Sequence, residues 1–279
     1  MAPHAGVFTQ LMVVVTAYGA KPVYMLLSLA LIVVLWRQQA GDLRLLRWAL
    51  LTFLVGETAC AADHLFLGDP NDLLEVLHGA GMVGMGAFSS WAVYEFADKR
   101  LTHYADPERP CSAIRFCGAC WKREPVSCFV HRTFLFAAPC LAIMSLLPFC
   151  APLRPEGVTL LIFGTPVFYG STPWALAAQA RIFPALAGAG FLLAFALLLA
   201  GRRGLRPSLG PFFAATGLMG FSLLRFVLTE SFRVEPPWGE IWEELTELVA
   251  VAFIAFFLWV TRKQLLRHEQ ASRSSGSAG

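Results

Sequence analysis

The sequence predicts an all-α polytopic membrane protein with seven transmembrane helices, the N-terminus outside and the C-terminus in the cytoplasm. Three observations predict it. Hydrophobic residues make up 57% of the chain and charged residues only 15%, where a soluble domain carries about 25% charge. Apolar runs long enough to cross a bilayer recur along the chain. Basic residues collect in alternate connections, as the positive-inside rule requires. A β-barrel would show shorter segments with period-two alternation, and none are present. The net charge of +3 reflects basic loops on one membrane face and speaks against nucleic acid as a partner.

The first span is expected over Pro22–Trp36, extended upstream by Leu11–Tyr18, with Lys21 as an interruption. No Lys or Arg precedes it, so it does not read as a cleaved leader. The next two spans, Leu45–Phe66 and Leu73–Phe96, form a hairpin whose turn lies around Gly68–Asn71. The fourth, Phe134–Cys150, follows a long basic connection. The fifth, Trp174–Ala200, opens on Thr172-Pro173, an N-cap followed by proline at the first helical position. The last two are Pro211–Leu228 and Trp238–Val260. Between helices 4 and 5, GVTLLIFGTPVFYG is too short to span, and its β-branched and aromatic residues predict a short outer hairpin or re-entrant segment. Residues 1–262 therefore form one helical bundle, with a cytoplasmic loop over 97–132 and an outer loop over 151–173. The polar, small stretch 263–279 reads as a disordered cytoplasmic tail.

Orientation follows from the loops. Arg37, Arg44 and Arg47, then Lys99 to Arg132, then Arg202, Arg203 and Arg206, and finally Arg262, Lys263 and Arg267 mark the cytoplasmic side. The intervening connections are poor in Lys and Arg. The expected setting is the lipid bilayer of a bacterial inner membrane.

Against this apolar background the outer halves of four spans carry ionisable groups. Glu57, Cys60 and His64 fall at i, i+3 and i+7 and share one helical face. Glu75 and His78 share another. Counted back from the turn at about 1.5 Å per residue, His78 and Cys60 lie at one depth, and Glu57 lies deeper, level with Met82. In the last span Glu240, Glu243, Glu244 and Glu247 form an acidic stripe. Arg225 lies in the outer half of the sixth span. Each such group costs at least about 2.5 kcal/mol to insert, so the cluster needs partners, water or a metal.

Glu75-x-x-His78 matches one half of the pattern by which four-helix bundles hold paired iron or manganese ions. The likeness is local to these residues. Glu57, Cys60, His64, Glu75, His78 and Glu247 are therefore candidate ligands for iron, copper, manganese or zinc. Glu244 is a candidate ligand or proton acceptor and Arg225 a charge partner. Competing readings exist for some of them. Asp72 and Glu75 suit a capping box, Glu240 and Glu243 suit a solvated helix N-terminus, and Arg225 with Glu247 suits a plain ion pair.

The cytoplasmic loop holds Cys111, Cys117, Cys120 and Cys128 in a C-x5-C-x2-C-x7-C arrangement. Stable disulfides are uncommon in the cytoplasm, whereas four thiolates suit tetrahedral zinc or an iron–sulfur cluster. Two metal sites on opposite faces suggest a metal-dependent oxidoreductase or electron-transfer component, exchanging electrons with quinone or a redox protein, alone or within a larger membrane complex. The alternative is a metal-ion or proton transporter or sensor using the same groups. The last span lacks a lysine for retinal, and no Walker A loop, nucleophile elbow or H-E-x-x-H is present.

Overall fold

Apolar side chains outside and ionisable ones inside reverse the usual arrangement of a globular protein. Phe136, Ile143, Val249 and Phe253 are largely exposed, whereas Asp42, Glu57 and Glu247 are buried. The computed structural model describes residues 5–63, 71–104, 111, 128–153, 157–200 and 202–276, without the side chains of 202–204 and 262–276. Among them run seven helices: α1 (Val7–Leu35), α2 (Gly41–Ala62), α3 (Asp72–Phe96), α4 (Phe129–Cys150), α5 (Pro173–Leu199), α6 (Arg202–Ser231) and α7 (Pro236–Gly276). Six stretches, in every helix but α3, are long and apolar enough to cross a membrane. The chain is an all-α membrane protein in contact with lipid.

Three differences from the expected spans have physical causes. Lys21 does not interrupt the first helix. Val7–Leu35 is continuous through a π-helical turn over Val15–Ala20, and Lys21 is turned into the bundle rather than toward lipid. Helix α6 starts at Arg202 and carries Pro207 and Pro211 inside it, which neighbouring helices in a membrane bundle tolerate. Helix α7 stays helical to Gly276, through most of the stretch read as a tail.

Helix α3 is 25 residues long, so composition rather than length sets it apart from the other six. Its glycines are packing devices. A Cβ on Gly81 would lie 2.6 Å from Gly56 Cα of α2, and one on Gly86 would lie 3.3 Å from Gly217 Cα of α6. Small residues let helix backbones approach where no larger side chain fits. Helix α3 is thereby clamped between α2 and α6.

Two cores flank it. Tyr24, Leu43, Leu50, Phe53, Met85, Val251 and Ile254 join α1, α2, α3 and α7. Ala138, Ala187, Phe191, Leu209, Phe212 and Phe213 join α4, α5 and α6. At the end nearer the basic loops, Arg100 grips Asp42 at 2.8 and 3.3 Å, pinning the chain after α3 to the start of α2.

The segment between α4 and α5 forms an antiparallel hairpin, β1 (Val158–Ile162) and β2 (Thr165–Tyr169), with Ile162 opposite Thr165. Phe163 and Gly164 take φ values of 47° and 83°. Positive φ at both positions is what a two-residue hairpin turn needs to match strand twist. The Phe163 N–H donates to Gln10 Oε1 at 2.8 Å, tying the hairpin tip to α1.

Candidate functional site

The contact between Gly56 and Gly81 sets the register of α2 on α3. A Cβ on Gly56 would meet the His78 carbonyl oxygen at 3.0 Å, so Glu57, the next residue, stands beside His78. With Gly56 facing Gly81, Glu57 is level with Ala80, two residues from the Met82 level that a count from the turn predicts.

Glu57 is fully buried and engages three partners. Its Oε2 lies 2.9 Å from Lys21 Nζ and 2.6 Å from the Tyr24 hydroxyl. Its Oε1 lies 3.2 Å from His78 Nδ1. Both Oε1 and Nδ1 are buried and lack a hydrogen bond of acceptable geometry. Helix α7 supplies the facing wall. Glu244 places Oε1 2.8 Å from Lys21 Nζ and Oε2 2.5 Å from the Tyr24 hydroxyl. Glu247 Oε2 lies 2.8 Å from that same hydroxyl. Glu57, His78 and Glu247 each offer a ligand atom, and these atoms all lie within 4.8 Å of one another.

Tyr24 thus faces oxygens of three carboxylates while owning a single hydroxyl hydrogen. Donation satisfies one of them. The other two need protons of their own or a cation. Lys21, by contrast, donates to Glu244 and to Cys60 Sγ, the last at 3.4 Å, and forms an ion pair with Glu57.

A second layer surrounds this group. Glu243 Oε1 lies 3.6 Å from His78 Nε2, and its Oε2 pairs with Arg225. Arg225 also donates to Gln179 Oε1 at 3.1 Å and to Ser171 Oγ at 3.2 Å. Gln179 sits on a π-helical turn over Ala178–Ile182, a local widening common where a helix serves a site.

The candidate residues therefore divide. Glu57, His78 and Glu247 come together, with Glu244 beside them through Lys21 and Tyr24. Cys60 is adjacent, reached through Lys21. Glu75 stands apart: its Oε2 accepts the Thr172 N–H at 3.1 Å and faces the Thr172 hydroxyl at 3.2 Å, at the start of α5. The cap of α3 is Asn71, whose Oδ1 accepts from Leu73 and Leu74, so no Asp72–Glu75 capping box forms. Arg225 pairs with Glu243 rather than Glu247, and Glu243 is an inner residue rather than a solvated one. His64, Cys117 and Cys120 lie outside the described residues. Cys111 and Cys128 pack into the core that joins α4, α5 and α6.

Sequence reasoning missed Lys21 and Tyr24. An ionisable residue inside an apolar helix is itself a functional signal, and the spacing of three residues puts Tyr24 on the same face. The chain matches no protein-family model, and no curated protein or solved structure is significantly similar to it.

Proposed function

We propose that the chain is a seven-span membrane protein, N-terminus outside and C-terminus cytoplasmic, that binds a metal cation at Glu57, His78 and Glu247 and carries it across the bilayer. The observation that carries this reading is the convergence of three ligand atoms within 4.8 Å, two of them on residues whose facing atoms, Glu57 Oε1 and His78 Nδ1, lack aligned partners. Carboxylate and imidazole together suit manganese, iron or zinc. Buried atoms without an aligned hydrogen bond carry a desolvation cost that a bound ion removes. The stripe Glu240, Glu243, Glu244 and Glu247 supports passage, because it leads from the start of α7 down one helical face to the site. The alternation of basic loops supports the orientation, and α3 completes the seventh span.

The test is zinc or manganese uptake into proteoliposomes holding the full chain. Uptake is expected, and Glu57→Gln lowers it at least about tenfold, as loss of a ligand does. A tightly held, non-exchanging metal with visible absorption and no flux would overturn transport in favour of an oxidoreductase centre.

A further inference from the structure

We infer that the β1–β2 hairpin is a lid over the outer mouth of the cation passage, hinged at Gly157 and Gly170 and latched at its tip by Gln10. The inference rests on the metal-site reading above. In a hairpin, cross-strand partners share a face and successive residues point to opposite faces. Val158 pairs with Tyr169 and Ile162 with Thr165, so Ile162 near the tip and Tyr169 at the base stand on one face. Both are buried, at 6% and 1% exposure, whereas Phe168 on the opposite face is 41% exposed. The hairpin therefore lies flat on the bundle along its length.

Its fastenings fix what it lies across. At the tip, the Phe163 N–H donates to Gln10 Oε1 of α1. Just past the base, Ser171 Oγ accepts from Arg225 of α6, and the Thr172 N–H donates to Glu75 of α3. The start of α7 runs between these anchors. Trp238 packs on Phe8 of α1 with ring centroids 5.9 Å apart, and Glu243 pairs with Arg225. Glu240, which heads the acidic stripe, acts electrostatically on the Tyr169 hydroxyl. The inward face of the hairpin thus covers the place where the stripe begins. From Ser171, the pair Arg225–Glu243 leads on to His78.

Three features suit this hairpin to movement. A Cβ on Gly170 would lie 2.8 Å from Gly157 Cα, so both strands pass through one narrow neck free of side chains, a position where hinges act. The neck is fastened by several bonds and the tip by one hydrogen bond. The Tyr169 hydroxyl is buried with no hydrogen-bond partner among the described residues, a cost of the closed state that water removes on opening.

The experiment times zinc capture, and zinc release into excess chelator, by stopped flow on the detergent-solubilised full chain and on a chain lacking residues 158–169. Gly157 and Gly170 already touch, so the deletion joins them without stretching the backbone. A lid limits access in both directions. Its loss should raise both rates at least about tenfold and leave their ratio, the affinity, unchanged. Gln10→Ala removes only the latch and should raise both rates about threefold to tenfold, the worth of one hydrogen bond. It also serves as the test should the deletion fail to fold. Unchanged rates in these variants overturn the lid. Faster release with unchanged capture, and so weaker binding, makes the hairpin a brace of the site and overturns the lid as well. Wild type that binds no zinc overturns the metal site itself, a separate result that removes what the lid would cover.

Discussion

Replacing Gly81 with alanine tests the chain of cause from helix packing to site. The added Cβ would lie 2.6 Å from both Gly56 Cα and Thr52 O, against an ordinary contact of 3.4–4 Å. Both obstacles are backbone of α2, so no side chain can rotate away. The helices must part by roughly 0.8 Å, an overpacking cost of about 1–3 kcal/mol. The same movement carries Glu57 away from His78, whose facing atoms are 3.2 Å apart. Metal–ligand distances tolerate only about 0.2 Å of change, so zinc affinity should fall at least about tenfold. Thermal unfolding in detergent and calorimetric zinc titration read the two effects. Gly220 is the control: a Cβ there meets nothing within 4 Å, so Gly220→Ala should leave both unchanged or slightly raise stability through helix propensity. Wild-type stability and zinc affinity in Gly81→Ala would refute the claim that this glycine seam positions the site.

Three further outcomes are expected. Tyr24→Phe removes the hydroxyl that three carboxylate oxygens share and should destabilise by about 1–3 kcal/mol, read as a lowered midpoint in detergent melts. Arg100→Ala strands Asp42, whose side chain is 3% exposed, and should cost about 3 kcal/mol while leaving zinc affinity intact, since this pair lies away from the site. Zinc affinity should weaken as pH falls from 7.5 to 5.5, because bound carboxylates and imidazole must be deprotonated. Titrations at the two pH values that gave equal affinity would contradict ligation by Glu57, His78 and Glu247.

How much of this was legible in the sequence depended on contrast. Glu57, His78 and Glu247 stood out because charge and imidazole are rare in apolar runs. The hairpin was legible because Gly164 breaks a β-branched and aromatic stretch, and the structure adds that Phe163 shares its positive φ. Register was legible to within two residues, since a count from the turn sets Glu57 level with Met82 and the Gly56–Gly81 seam sets it level with Ala80. Lys21 was misread because one charge between apolar segments looks like a break, and only the third dimension shows Glu57 and Glu244 waiting for it. Tyr24 carries no signal of its own, since a tyrosine at helical spacing is indistinguishable from packing. Glu75 matches a ligand pattern by its neighbourhood, whereas the structure adds Thr172, nearly a hundred residues away, as the donor to its carboxylate.

The account stands or falls on whether this group of acids and imidazole takes up an ion. Zinc bound per chain, measured by elemental analysis after equilibrium dialysis of the purified full-length protein, tests that most directly. The expected result is one ion per chain in wild type, lost in Glu57→Gln, in His78→Gln and in Glu247→Gln, and kept in Glu75→Gln. Absence of bound zinc in wild type, or binding indifferent to all three substitutions, would contradict it.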